Sequence, residues 1–287
     1  ILRDLGVDYV SWVDPAEEPE LSELTFGEVA PRLEGAGPRG RSLLGLRLYS
    51  HQEEALRRLE SGENVILISG AGSGKTEAWA VYALSRGRRV LAVYPTLALS
   101  RDQLERLEDY FGPDGVVKVE AETVRGLSKA EYRRLVRRIS SASVVVTNPA
   151  FLMRDVMRAV SAKSSRSCLE GFLSRVDLIV VDELDFYGSG RAALLVSGVL
   201  RAIFENLSSK RPQVAVLTAT LGNPNELARI LTSLNGRPTE VVRGRSFRVE
   251  NRTYLLRDSR ERLPELLVRY ARSGEDGVTL VFTSTIR

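Results

Sequence analysis

Apolar positions in this chain come in short unbroken runs separated by longer segments of helical period. The runs are Val65–Ser69, Val90–Pro95, Val116–Val119, Val144–Thr147, Leu178–Asp182 and Val214–Thr218. They are rich in β-branched residues and lack the polar alternation of a half-exposed strand, so each reads as a strand covered on both faces. Between them, Thr76–Ser85, Ser100–Tyr110, Lys129–Ile139 and Gly190–Leu207 are amphipathic, and Ser50–Glu60 leads into the series. Strand alternating with helix predicts an α/β fold, a mostly parallel sheet sandwiched by helices. A Gly/Pro-rich connector, Gly35–Arg41, sets a lead-in segment (1–45) apart from a main domain expected over 46–245. After Glu240 the pattern changes. Val241–Val242, Arg252–Leu256 and Val278–Phe282 read as strands, with a charged helix, Arg260–Ser273, between the last two. This predicts a crossing into a second domain, with 246–287 as linker and beginning.

Composition narrows the class. The 287 residues are 43% hydrophobic and 27% charged, the balance of a globular protein. Apolar runs such as Leu178–Val181 are far below the roughly 18 residues that would span a bilayer, which excludes a transmembrane protein for this stretch. Ile1–Val10 carries Arg3, Asp4 and Asp8 and no apolar core, so it is no signal peptide, and a cytoplasmic location is expected. Cys168 is the only cysteine, which leaves no intrachain disulfide and no cysteine-based zinc site. The net charge of +4 is compatible with a nucleic-acid partner without arguing for one. Five lysines against 36 arginines, with three glutamines, is a thermophile-like pattern that a GC-rich genome also produces.

Two segments carry chemistry. The strand Val65–Ser69 runs into Gly70-Ala71-Gly72-Ser73-Gly74-Lys75-Thr76 and then a helix. Glycines let backbone N–H groups close around phosphates at a helix N-terminus. A lysine at this position reaches the β/γ-phosphates, and a threonine hydroxyl ligates Mg²⁺. The general pattern has glycine where Ser69 stands. The second segment is Leu178–Val181 followed by Asp182-Glu183-Leu184-Asp185. In a parallel sheet the carboxyl ends of strands hold the ligand, so Asp182 falls near the glycine loop, where a carboxylate can hold Mg²⁺. Glu183 beside it is placed to deprotonate an attacking water.

In order along the chain stand Gly72-Ser73-Gly74-Lys75-Thr76, Pro95-Thr96, Thr147-Asn148-Pro149, Asp182-Glu183-Leu184-Asp185 and Thr218-Ala219-Thr220. This series resembles the first RecA-like P-loop domain of a superfamily 2 DEAD/DEAH-box helicase, over roughly Tyr49–Ile230. Leu48-Tyr49-Ser50-His51-Gln52, Tyr94-Pro95-Thr96 with Asp102-Gln103, and Phe186-Tyr187-Gly188 are similar to the branch related to the YprA and large helicase-related (Lhr) proteins. That branch often has His where Asp185 stands, Ser for Thr218 and Lys for Leu97.

The resemblance implies roles. Gln52 would read the adenine edge of ATP with Tyr49 beside the base. Gly70, Gly72, Ser73 and Gly74 would cradle phosphates, held with Mg²⁺ by Lys75 and Thr76. Asp182 would hold Mg²⁺ and Glu183 would activate water. Pro95, Thr96 and Thr147 would lie along a nucleic-acid strand. Thr218 and Thr220 would couple hydrolysis to motion. Tyr49 reads equally as a core aromatic, and His51 as a local hydrogen-bonder. Arg133, Arg134, Arg137 and Arg138 read as a solvated helix face, whereas Arg154 and Arg158 follow a presumed strand-contact motif.

The function implied is ATP-dependent helicase or translocase activity, with single-stranded DNA as the favoured partner. An RNA helicase and a nucleotide-dependent switch or assembly module remain alternatives. The second RecA-like domain would supply finger arginines and would only begin at Leu280–Arg287. The start at Ile1 and the end at Arg287 are expected to be edges within a larger motor, so this stretch alone is expected to be weak or inactive.

Overall fold

The computed structural model describes residues 9–95, 97–161, 167–187, 190, 194–245, 250–256 and 268. The strands are β1 (Tyr9–Asp14), β2 (Leu21–Thr25), β3 (Arg47–Tyr49), β4 (Asn64–Ile68), β5 (Val90–Val93), β6 (Val116–Lys118), β7 (Val144–Thr147), β8 (Leu178–Val181), β9 (Gln213–Thr218), β10 (Thr239–Arg243) and β11 (Asn251–Leu256). The longer helices are α1 (Ser50–Glu60), α2 (Lys75–Arg86), α3 (Leu97–Phe111), α4 (Lys129–Ser141), α5 (Pro149–Val160) and α6 (Pro224–Asn235). The chain divides into two compact units, Glu18–Phe247 and the pair of segments 1–17 and 248–287.

The larger unit is built on a seven-stranded sheet of order β10-β4-β9-β8-β5-β7-β6. All of its pairings are parallel. Alternate residues of each strand serve opposite faces. Ile66, Leu91, Val145, Ile179 and Val216 belong to one buried layer, closed by Phe151, Leu152 and Val156 of α5 and by Leu195, Val199 and Leu200. Val65, Leu67, Val90, Val144, Val180 and Leu217 belong to the other, closed by Leu56 and Leu59 of α1 and Trp79 and Tyr82 of α2. Each side chain buried this way contributes roughly 1.5–3 kcal/mol, and both layers explain why the strands are apolar throughout. Phe26, Ala30 and Leu33 of the lead-in pack into that second layer as well.

Val241–Val242 form part of β10, which pairs with β4 from Thr239↔Asn64 to Arg243↔Ile68. The change of pattern after Glu240 therefore falls inside this sheet. The segment expected as one helix over Gly190–Leu207 is π-helical at Leu194–Leu200 and Ile203–Leu207. The expected helix Arg260–Ser273 and strand Val278–Phe282 lie outside the described residues, apart from Val268, which is helical. In the smaller unit, β11 pairs antiparallel with β1, Asp14↔Asn251 through Tyr9↔Leu256.

A buried amide knot fastens the amino ends of the strands. Asn64, fully buried, donates to Asn235 Oδ1 and Thr239 Oγ1 at 3.0 Å and to the Arg237 carbonyl at 3.2 Å. Its Oδ1 accepts from Asn235 Nδ2 at 2.8 Å and from the Val214 N–H at 2.9 Å. Asn64→Leu would orphan several buried partners, each costing about 1–3 kcal/mol. The expected loss is about 3–5 kcal/mol in urea unfolding, and a loss under about 1 kcal/mol would refute the assignment.

Candidate active site

β4, β9 and β8 are neighbours, and the glycine loop, Thr218 and Asp182 follow their carboxyl ends. The Ser69 N–H donates to the Thr218 carbonyl at 3.1 Å, and the Asp182 N–H to the Val93 carbonyl at 3.0 Å. The first bond continues the β4–β9 ladder into the glycine loop, and the second fixes Asp182 against the end of β5.

The loop is closed by its own side chains. Lys75 Nζ donates to the carbonyls of Ser69 at 2.8 Å and Gly70 at 2.9 Å. Ser73 Oγ donates to the Gly70 carbonyl at 2.8 Å and pairs closely with Ser69 Oγ. Ser69, in place of the usual glycine, thus uses its hydroxyl to brace the loop. Gly72 and Gly74 have φ of 72° and 73°, the left-handed region. At Gly74 a Cβ would also stand 2.2 Å from Gln52 Nε2.

Tyr49 and the first turn of α1 strap this loop from outside. Gln52 Oε1 accepts the Tyr49 N–H at 2.8 Å, and its Nε2 donates to the Gly74 carbonyl at 2.9 Å. Tyr49, half-buried, stacks on His51 with ring centroids 5.6 Å apart. His51 is 4% exposed, and its Nε2 lies 2.9 Å from the Ser73 carbonyl. Burial pushes its pKa down, so the ring is neutral and Nε2 carries the proton it donates. Gly244 abuts this ring, where a Cβ would lie 2.4 Å from His51 Cγ. Nothing but a glycine after a strand marks that contact in the sequence.

Thr76, 4% exposed at the start of α2, donates its hydroxyl to Gln103 Oε1 at 3.1 Å. Asp182 is 5% exposed, and its pKa is pushed up to about 7, first by burial and then by the Glu183 carboxylate, with Lys75 opposing. Glu183 is partly exposed with φ of 50°, a strained conformation for a non-glycine residue and a common one at functional sites. Thr218 donates to the Thr220 carbonyl at 2.8 Å, and Thr220 Oγ1 donates to Asp185 Oδ2 at 3.1 Å. Two of the three departures, Thr218 and Asp185, therefore belong to one hydrogen-bonded chain joining β9 to the acidic turn.

The strand-contact residues are less uniform. Thr147 is buried and donates its hydroxyl to the Val119 carbonyl at 2.8 Å, which occupies it inside the sheet edge. Asn148 caps α5, accepting the Phe151 N–H at 2.9 Å. Pro95 and Pro149 line an open apolar groove with Met153, Tyr187 and Leu194. Arg154 and Arg158 are exposed on α5, whereas Asp155 between them is buried and accepts from Ser167 and the N–H groups of Cys168 and Leu169. Thr96 lies outside the described residues.

The DEAD/DEAH box helicase pattern matches residues 49–227, more than half of the chain. The chain belongs to the DEAD/DEAH box helicase family. Among relatives of this helicase domain is the uncharacterized ATP-dependent helicase MJ1574 of Methanocaldococcus jannaschii, 30% identical over 74% of this chain and 31% of its own length. The uncharacterized ATP-dependent helicase YprA of Bacillus subtilis is 27% identical over 68% of this chain and 25% of its own. The match to YprA agrees with the YprA/Lhr-related branch. The DUF1998 helicase MrfA bound to DNA shares the fold, with a TM-score of 0.65 and 20% identity over 91% of this chain and 37% of that one. The helicase domain spans about a third or less of the length of these curated relatives. Among the described residues, no helix is long and apolar enough to cross a membrane.

Proposed function

We propose that this chain is the ATP-binding RecA-like domain of a cytoplasmic ATP-dependent helicase or translocase that tracks single-stranded DNA. The observation that carries the reading is the convergence of Lys75, Thr76, Asp182 and Glu183 at adjacent strand ends, with Thr218, Thr220 and Asp185 linked beside them. In this reading residues 246–287 begin the second RecA-like domain, the one that supplies finger arginines.

The donor set suits Mg²⁺. A threonine hydroxyl and one buried carboxylate are hard oxygen ligands, and Mg²⁺ is held by one or two carboxylates plus phosphates and water. Among the described residues no cluster of three or more His, Cys, Asp and Glu side chains could hold a metal unaided, which fits an ion shared with a nucleotide. The raised pKa of Asp182 marks a buried carboxylate short of positive charge, which a divalent cation supplies. When bound, the ion neutralises charge on the transferring phosphoryl group.

The chain's own residues do the rest. Lys75 exchanges its two loop carbonyls for phosphoryl oxygens. Gln52 holds the loop to the adenine side. Glu183 accepts a proton from the attacking water at its carboxylate, and the Thr220–Asp185 bond transmits the altered turn to β9. Arg154 and Arg158 meet strand phosphates.

The test uses the protein carrying both RecA-like domains. ATP turnover is expected to rise more with single-stranded DNA than with RNA of the same length. Arg154→Ala with Arg158→Ala is expected to reduce the salt slope of DNA binding by about 1–2. Equal or greater stimulation by RNA would replace the DNA reading, and an unchanged slope would remove the two arginines from it.

A further inference from the structure

At the opposite end of the sheet from the glycine loop lies a polar cavity of about 350 Å³. Its lining includes Glu60, Tyr82, Arg88, Asp177, Lys210 and Arg237. Asn64, Leu178 and Gln213 begin their strands here, so β4 separates the cavity from the loop by its length, roughly 16 Å at about 3.3 Å per residue.

The floor is internally satisfied. Tyr82 donates its hydroxyl to Gln213 Oε1 at 2.7 Å, and Gln213 Nε2 donates to the carbonyls of Leu59 and Glu63 at 2.9 and 2.6 Å. The carboxylates are also committed. Glu60 pairs with Arg86 at 2.5 Å, and Asp177 pairs with Lys210 at 3.1 Å while accepting the Arg89 N–H at 3.0 Å.

Two cations are left over. Arg88 lies 5.8 Å from the centroid of the Tyr82 ring and has no carboxylate partner among the described residues. Arg237 is fixed by donating Nε to the Arg211 carbonyl at 2.9 Å and Nη1 to the Gly62 carbonyl at 3.0 Å, which neutralises no charge. Arg211 takes a left-handed φ of 47° in that arrangement. A guanidinium pinned by neutral carbonyls and a second one beside the Tyr82 ring, with Lys210 shared with Asp177 at the rim, leave the cavity with an excess of positive charge. Planar arginine forks match the oxygens of a phosphate group.

We infer that this cavity is a second anion site, which binds a phosphate-bearing ligand through Arg88, Lys210 and Arg237 independently of the glycine loop. Its chemistry is that of a phosphomonoester or pyrophosphate group, whether free or on the end of a nucleic-acid strand. The site is separate from the one proposed for ATP and does not depend on that reading.

Calorimetric titration of the full chain with inorganic pyrophosphate tests it. Lys75→Ala silences the loop and is expected to leave saturable pyrophosphate binding in place. Adding Arg88→Gln and Lys210→Gln, both exposed rim positions that spare the floor, is expected to weaken that binding at least about tenfold. Circular dichroism establishes that the variants fold. Displacement of pyrophosphate by a 5′-phosphorylated oligonucleotide but not by its 5′-hydroxyl form assigns a strand end. Displacement by neither assigns a free ligand. Loss of all binding in Lys75→Ala overturns the inference, as does binding that the two rim substitutions leave unchanged.

Discussion

Lys75→Ala is expected to lower ATP turnover at least about 10³-fold in the protein with both RecA-like domains, a loss of roughly 4 kcal/mol of transition-state stabilisation. Two effects combine. The ammonium group is the cation nearest the expected phosphates on this domain, and its removal forfeits charge stabilisation in a buried site. It also removes the bonds to the Ser69 and Gly70 carbonyls that close the loop. Nucleotide affinity should therefore fall together with turnover, measured by fluorescent-nucleotide titration beside steady-state hydrolysis. Turnover within about a factor of ten of wild type would remove Lys75 from the phosphate site.

Glu183→Gln is expected to separate those two readouts. The substitution keeps shape and hydrogen bonding but removes the base, and general-base catalysis contributes typically about 10²–10⁴-fold. Turnover should drop by at least about 10²-fold while nucleotide binding stays within a few-fold of wild type. A second consequence concerns Asp182. Its pKa is held up partly by the Glu183 charge, so the variant should bring that pKa back down from about 7. Wild-type turnover in Glu183→Gln would show that another group takes the proton.

The sheet is readable from the sequence because both of its faces are buried. A strand such as Leu178-Ile179-Val180-Val181 has no polar position to confuse with a turn, and β4, β5, β7, β8 and β9 each stand within a residue or two of the apolar runs. β1 is not readable in that way. Tyr9-Val10-Ser11-Trp12-Val13-Asp14 is short and largely exposed, and its partner β11 lies more than 230 residues away. The π-helical turns between Leu194 and Leu207 stay hidden because apolar spacing reports a helical face rather than its hydrogen-bond register.

At the candidate site, the residues proposed to carry the chemistry are legible and their supports are not. Lys75, Thr76, Asp182 and Glu183 are marked by local spacing within a strand–loop–helix context. The contacts that brace them, His51 with Ser73, Gln52 with Gly74 and Thr220 with Asp185, join residues 22 to 35 positions apart. They exist only once the strands have closed in this order. Thr147 shows the converse. Its motif reads as a strand contact, yet its hydroxyl is spent on the Val119 carbonyl once β6 and β7 pair.

β10 carries one more consequence. The outgoing chain leaves it at Gly244, whose N–H donates to the Ile68 carbonyl at 2.9 Å, one residue before the glycine loop begins at Ser69. Because β10 runs parallel to β4 over five residue pairs, a pull on the carboxyl end of β10 directed along the strand axis would load that ladder in shear. Such a pull would be borne by β4, the strand that leads directly into the glycine loop.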